Sequence, residues 1–121
     1  MNKRPATIIC DIDGTLVKHN PPVENTSSDK DLEILPGTVE KLLEWDSLGY
    51  NIILITGRRE SMRKSTEKQL SKIGIIYDSL IMGIGGGKRY LINDRKPTGE
   101  EYAFSINLDR NEGISGVEIL P

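Results

Sequence analysis

The stretch ATIICDIDGTL, residues 6–16, decides the fold of this chain. Its first part, residues 6–12, is a continuous apolar and β-branched run, which is typical of a strand buried on both faces of a parallel sheet. The run carries Asp11 and Asp13 at its end, with a glycine and a threonine directly behind them. Two carboxylates one residue apart at the end of a buried strand indicate either a simple turn or a functional site, and the rest of the sequence must decide between them.

Size and composition indicate one soluble globular domain. The chain has 121 residues and a formal net charge of −2, so no basic field points to nucleic acid or to an anionic membrane. No apolar run is long enough to cross a bilayer, and the aspartates interrupt the first apolar stretch too early for a signal peptide. The single cysteine, Cys10, lies within that stretch, which favours a buried structural thiol over a nucleophile or a metal ligand. We therefore expect a cytoplasmic protein with no membrane partner.

Strands and helices alternate along the chain, which predicts an α/β fold with a mostly parallel sheet. The segment 17–34 is polar and contains two prolines, so we expect an exposed loop or flap within a single domain spanning residues 1–121. Five strands are predicted, at residues 6–12, 51–56, 77–83, 89–94 and 103–108, and two helices, at residues 36–49 and 60–73.

Three of the predicted strands end in polar side chains: Asp11, Thr56 and Asp94. Because ligands of parallel α/β sheets bind beyond the carboxyl ends of the strands, we expect these side chains to meet at one edge. Asp11, Asp13 and Asp94 would then concentrate negative charge, which is costly unless a cation compensates it. Mg²⁺ prefers carboxylate oxygens together with waters and substrate phosphate. The crowding of acids therefore predicts a magnesium site.

The end of the second strand carries groups suited to a phosphate. The Thr56 hydroxyl and the backbone N–H groups near Gly57 can be directed at a phosphate oxygen, because glycine permits close approach. Arg58 and Arg59 could add charge-assisted hydrogen bonds. The alternative is a helix cap followed by two solvated arginines, which is the reading we favour for Arg59.

The glycine-rich connection GIGGGKRY, residues 83–90, matches neither the Walker pattern nor the dinucleotide-binding fingerprint. We expect it instead to be a flexible connection that delivers Lys88 to the same edge of the sheet. A lysine there would neutralise a nucleophilic carboxylate and a bound phosphate. Arg89 is a competing candidate for this position, and an exposed lysine with no role is the remaining alternative.

Taken together, these motifs resemble those of the haloacid dehalogenase-like (HAD) superfamily of phosphohydrolases. DIDGT at 11–15 is similar to the first motif, LITGR at 54–58 to the second, Lys88 to the third and LINDR at 91–95 to the acidic fourth. They occur in family order and cover roughly residues 6–97. The resemblance implies a Rossmann-like three-layer sandwich, here with the five predicted strands. The chain leaves no room for a large cap domain, because the segment 17–34 is at most a flap.

The resemblance also implies a role for each matching residue. Asp11 would be the nucleophile that forms an aspartyl-phosphate, and Asp13 would act as general acid and then general base. Thr56 would bind the transferring phosphoryl group, and Lys88 would hold Asp11 and the phosphate. Asp11, Asp94 and the main-chain carbonyl of Asp13 would hold Mg²⁺.

The expected function is that of a Mg²⁺-dependent phosphomonoesterase acting on a small phosphorylated metabolite, such as a sugar phosphate. A capless site is open, so a homo-oligomer could complete it with a neighbouring subunit. Two alternatives stay open. One is a phosphatase acting on nucleic-acid ends, although no aromatic residues are interleaved with the arginines for base stacking. The other is a non-catalytic module that binds phosphate or metal, which the presence of both Asp11 and Asp13 disfavours.

Overall fold

The structure is a computed structural model that describes residues 4–19 and 31–120. Its centre is a parallel sheet of three strands, β1 (Thr7–Asp11), β2 (Asn51–Ile55) and β3 (Ser79–Ile81). The strand order is β1-β2-β3. The pairing of β1 with β2 runs from Thr7 opposite Asn51 to Asp11 opposite Ile55, so the two strands end level with each other.

Two helices connect the strands, as the α/β pattern predicts. The first helix, α1 (Thr38–Ser47), joins β1 to β2 and buries Leu42 and Trp45 against the sheet. A short 3₁₀ turn at Glu60–Met62 leads into α2 (Arg63–Lys72), whose buried side chains include Leu70. Both helices lie within the predicted ranges. In the part of the chain that the structure describes, no helix is long and apolar enough to span a membrane.

The hydrophobic core covers one face of the sheet. Alternate residues of each strand point into it, and the helices, the connecting segments and the chain beyond residue 110 also contribute side chains. Cys10 belongs to this core, and its burial, with a smaller contribution from the neighbouring Asp11, raises the pKa of the thiol to about 12. The prediction of a buried structural cysteine is therefore confirmed. The core residues from regular elements are Ile8, Cys10, Leu42, Trp45, Ile52, Leu54, Leu70 and Leu80.

The prediction that β1 is buried on both faces is wrong. Ile9 is 51% exposed, and Thr7 is exposed as well, so the strand buries every second residue only. The described core packs on one face of the sheet, so the side chains of Thr7 and Ile9 on the other face of β1 stay exposed. A continuous apolar run does not show whether a second layer covers the other face of a strand.

The strands predicted at 89–94 and 103–108 do not form in this structure. Both segments are described, both lack regular structure, and their apolar side chains face solvent, with Ile92 93% and Phe104 75% exposed. The described sheet therefore has three strands instead of the predicted five. Apolar alternation shows which face a strand would bury, but a strand also needs a partner for its backbone hydrogen bonds, and no ladder joins these segments to β1.

The predicted polar loop at 17–34 is only partly visible, since residues 20–30 lie outside the described range. Of its described residues, Val17 and Leu32 are buried, whereas Lys18, His19, Asp31, Glu33 and Ile34 are exposed. Val17 forms isolated bridges with Asp13 and Ile34. The bridges bring both ends of the loop beside the first aspartate motif.

Candidate functional site

The turn after β1 is fixed by buried apolar residues on either side of the acids. Ile12 and Leu16 are both fully buried, and the Ile12 carbonyl accepts a hydrogen bond from the Leu16 N–H at 2.9 Å. Gly14 has a φ of 89°, a left-handed conformation that is readily accessible to glycine. Because Ile12 points into the core, Asp11 and Asp13 on either side of it are presented at the carboxyl edge of the sheet.

Asp13 is held by a two-point ion pair with Arg58. The Arg58 Nη2 and Nε atoms lie 2.8 and 3.2 Å from the two carboxylate oxygens, and the side chains are 7% exposed for Arg58 and 19% for Asp13. The third nitrogen, Nη1, donates to the Gln69 Oε1 at 2.9 Å and to the Thr66 Oγ1 at 3.3 Å. All three nitrogens are thus used, and Arg58 connects the acid to α2.

The Thr56 hydroxyl belongs to the same network. Thr56 is 1% exposed, and its Oγ1 donates to Asp13 at 3.4 Å and accepts the Arg58 N–H at 3.1 Å. The structure thus brings Thr56 to Asp13, as the strand-end pattern predicts. Its assignment as a phosphate ligand stays a prediction.

Asp11 is more accessible than Asp13 and has different partners. Its side chain is 32% exposed; one oxygen accepts a hydrogen bond from the Arg89 Nη1 at 3.0 Å, and the other accepts from the Thr15 Oγ1 at 3.3 Å. Arg89 also donates weakly to the Gly85 carbonyl at 3.5 Å. The cation that reaches this carboxylate is therefore Arg89, the competing candidate from the sequence.

Gly57 lies against the backbone of the segment that carries Arg89. A Cβ atom at Gly57 would lie 3.0 Å from the carbonyl oxygen of Gly85. Two backbone hydrogen bonds join these two segments. The Gly83 N–H donates to the Arg58 carbonyl at 2.7 Å, and the Ile84 N–H donates to the Thr56 carbonyl at 3.4 Å. Residues 56–58 thus contact the partners of both carboxylates. The predicted contact of Gly57 with a phosphate is not tested by this packing.

Lys88 and Asp94 are exposed and are not brought to the acids. Lys88 makes no hydrogen bond or ion pair with another described residue. The Asn93 side chain donates to the Asp94 backbone carbonyl at 3.1 Å and, over a longer 3.5 Å, to the Asp94 carboxylate. Among residues 4–19 and 31–120, no three His, Cys, Asp or Glu side chains are placed to share a metal ion. The predicted trio of Asp11, Asp13 and Asp94 is therefore not assembled here, and the metal role of Asp94 stays a prediction.

The two remaining acids suit Mg²⁺ by type, because this ion is commonly held by one or two carboxylates together with waters and substrate phosphate. In the described arrangement their oxygens accept hydrogen bonds from Arg58, Arg89, Thr15 and Thr56. The donor chemistry of Asp11 and Asp13 thus fits the ion, while a ligand sphere that includes Asp94 requires residues 89–94 to move.

A cavity of about 180 Å³ opens beside the acids. One wall comes from the chain beyond the last strand, a region for which the sequence offered no signal. Asn111 anchors that wall: its N–H donates to the Gly14 carbonyl and its Oδ1 accepts the His19 N–H, both at 2.8 Å. The lining residues are Asp11, Asp13, Gly14, Thr15, Leu108 and Arg110.

Comparison with known proteins places these features in a family context. Residues 8–89 match the family described as PITM 1-3, LNS2 domain. No curated protein matches the sequence. Among solved structures, a chain of the Pnkp1/Rnl/Hen1 complex is 32% identical with a TM-score of 0.58, covering 71% of this chain and 30% of that one.

Two further structures are similar. A chain of the Pnkp1/Rnl/Hen1 RNA repair complex is 34% identical with a TM-score of 0.55, covering 64% of this chain and 25% of that one. An MCSG target from Vibrio cholerae is 22% identical with a TM-score of 0.54, covering 73% and 79%, and this likeness shows the fold alone. The present chain thus spans less than a third of the length of the first two.

Proposed function

Since the chain belongs to the LNS2 domain family, and with it to the HAD-like superfamily, we propose that it hydrolyses phosphomonoesters through an aspartyl-phosphate on Asp11. One observation carries the proposal: Asp11 is a partly exposed carboxylate that opens onto a cavity, and a second carboxylate two residues on is fixed beside it by Arg58. This is the arrangement that a nucleophile and a proton-transfer group need.

The reaction has two steps that balance on these residues. In the first, a carboxylate oxygen of Asp11 attacks phosphorus, the bond from phosphorus to the leaving oxygen breaks, and a proton from Asp13 goes to that oxygen. In the second, water attacks the phosphorus of the acyl phosphate and gives its proton to Asp13. The bond to Asp11 then breaks, which releases inorganic phosphate and restores the nucleophile.

Arg89, and not Lys88, is the cation that we assign to the nucleophile and the transferring phosphoryl group. Its guanidinium already lies 3.0 Å from Asp11, and its remaining N–H donors can bind phosphate oxygens as the charge develops. Lys88 has no comparable contact with a described residue. Arg58 is a positioning residue, because it contacts Asp13 on both oxygens and holds it in one orientation.

Mg²⁺ dependence is part of the proposal. The Asp11 carboxylate and the main-chain carbonyl of Asp13 would hold the ion, with Asp94 as an additional ligand after movement of its segment. The ion would supply positive charge against the phosphoryl oxygens.

The direct test is hydrolysis of para-nitrophenyl phosphate by the purified chain, with and without Mg²⁺, against the variant D11N. We expect turnover that requires both the metal and Asp11. Equal rates for the two proteins across a panel of phosphate esters would refute the proposal. Beryllium fluoride with Mg²⁺ should raise the melting temperature of the wild type and leave that of D11N unchanged, which separates a working nucleophile from a module that only binds metal.

A second candidate substrate is a phosphate on a nucleic-acid end, and the similarity to chains of an RNA repair complex is consistent with it. The discriminating measurement is hydrolysis of a 3′- or 5′-phosphorylated oligonucleotide against a sugar phosphate. We expect the sugar phosphate to be preferred. A preference for the oligonucleotide that declines steeply with salt would reverse the choice.

A further inference from the structure

The cavity beside Asp11 holds a cation that the proposed reaction does not use. We propose that Arg110 forms a second anion subsite there, so that the preferred substrates are small molecules carrying a second phosphate next to the scissile one. The inference rests on the proposed function for the reacting phosphate, but the second contact is a separate feature of this chain. Arg110 lies beyond residues 8–89, which match the family.

The position of Arg110 is fixed by the turn that carries the acids. A Cβ atom at Gly14 would lie 3.3 Å from the Arg110 Cγ, so the stem of the arginine lies directly on this glycine. The next residue, Asn111, has a φ of 66° and bonds to Gly14 and to His19, each at 2.8 Å. The guanidinium is therefore carried to the cavity on an anchored segment.

The lack of a described acidic partner distinguishes Arg110 from Arg58 and Arg89. Arg58 and Arg89 are each paired with an aspartate, whereas Arg110 makes no hydrogen bond or ion pair with another residue in the described ranges. Among the described residues that line the cavity, it is also the one that carries a positive charge. A guanidinium with unused donors binds a phosphate or a carboxylate in a two-point contact. An anionic group of the substrate can take this place while its reacting phosphate lies at Asp11.

The size and lining of the cavity favour a small substrate over a nucleic-acid end. A volume of about 180 Å³ corresponds to roughly six water molecules and is below the range of about 300–1,000 Å³ of pockets for drug-sized ligands. Leu108 lines it, and none of the described lining residues is an aromatic side chain on which a base could stack. Leu108 instead offers an apolar contact for a short carbon chain between two phosphates.

The test compares two substrates that differ only in the second phosphate: 1,3-propanediol bisphosphate and n-propyl phosphate. For the wild type we expect kcat/KM for the bisphosphate to be about tenfold or more above that for propyl phosphate, the effect of one charge-assisted contact. R110A should remove this preference and leave propyl phosphate unchanged, and R110K should restore part of it. A preference that survives in R110A would overturn the proposal.

The matched control is R4A, which removes an exposed arginine ahead of β1, at the opposite end of the strand from Asp11. Its bisphosphate preference should equal that of the wild type. If R4A lost the preference as R110A does, net charge and not a subsite would be the cause, and the proposal would be wrong. Equal melting temperatures for R110A and the wild type would show that the fold is kept.

A binding measurement tests the second anion subsite independently of the proposed phosphatase activity. Stabilisation by 1,3-propanediol bisphosphate, measured as a shift in melting temperature, needs no turnover. If neither substrate is hydrolysed but the bisphosphate stabilises the wild type and not R110A, the proposed function fails and the subsite stands. Equal stabilisation of both proteins would remove the subsite. A terminally phosphorylated dinucleotide with a higher kcat/KM than the bisphosphate, also dependent on Arg110, would overturn the small-substrate assignment.

Discussion

Arg58 binds both carboxylate oxygens of Asp13, at 2.8 and 3.2 Å, from a side chain that is 7% exposed. The ion pair joins the turn after β1 to the turn after β2, two segments 45 residues apart in sequence. Through Gln69, the same guanidinium also reaches α2. The orientation of the acid that we assign to proton transfer is therefore set by the packing of a helix as well as by its own turn.

Removal of this guanidinium should destabilise the protein. R58A leaves a mostly buried carboxylate without its partner, which we expect to cost about 3 kcal/mol of unfolding free energy. Urea denaturation of R58A and the wild type measures it. R58K keeps the charge but not the two-point contact, so it should recover part of the stability and little of the activity. A loss below about 0.5 kcal/mol for R58A would show that the pair is weak, as at an exposed surface.

Alanine substitution of the two basic residues after the glycine-rich segment should show which of them, Arg89 or Lys88, acts in catalysis. Because Arg89 contacts Asp11, R89A should lower kcat for para-nitrophenyl phosphate by about 100-fold, the effect of removing one electrostatic stabiliser of the transition state. K88A is the matched control and should change kcat by less than about threefold, since removal of an exposed charge without a close partner has a small effect. The opposite order of the two effects would return the role to Lys88.

A methyl group on Gly57 should displace the segment that carries Arg89. The added Cβ would lie 3.0 and 3.2 Å from the Gly85 carbonyl oxygen and carbon, and backbone atoms cannot give way as a flexible side chain does. We expect G57A to lose about 1–2 kcal/mol of stability and to have reduced activity. G86A is the control, since a Cβ at Gly86 meets no atom within 4 Å. Equal stability and activity of the two variants would show that the close packing at Gly57 has no role.

Because of the buried Cys10 thiol, the free energy of unfolding should decrease as the pH rises through the alkaline range. Burial raises its pKa in the folded protein from 9.0 to about 12, so the unfolded chain loses this proton first as the pH rises. The contribution of the protonated Cys10 thiol to the free energy of unfolding is fully present below pH 9 and declines by about 1.4 kcal/mol per pH unit between pH 9 and 12.

Urea denaturation at pH 8 and pH 10.5 measures this effect as the difference between the wild type and C10A, because other groups that titrate in that range are common to both. The gap in stability between the two proteins should narrow at the higher pH. A gap that is independent of pH would show that the thiol titrates alike in the folded and unfolded chains.

The sequence predicts the part of the site that follows directly from the strands. The run that ends in Asp11 specifies β1, and the apolar residue between the two aspartates specifies which face of the turn is buried. Thr56 comes to Asp13 because two adjacent parallel strands end level with each other. Local pattern and the geometry of parallel sheets are sufficient for these contacts.

The partners of the acids could not be predicted in this way. Arg58 and Arg59 are adjacent and chemically identical, and only the packing of α2 decides which one turns inward. Arg110 lies 97 residues after Asp13, on a segment without regular structure, so no strand or helix period points to it. The prediction of strands at 89–94 and 103–108 was wrong because a sequence pattern suited to a strand does not supply the neighbouring strand with which it must pair.

Residues 56–58 contact the partners of both carboxylates: the Arg58 side chain binds Asp13, and the Arg58 carbonyl accepts the Gly83 N–H of the segment that leads to Arg89. A shift in the backbone of this loop would therefore be transmitted to the nucleophile and to the proton-transfer group together, although the two acids have different cationic partners.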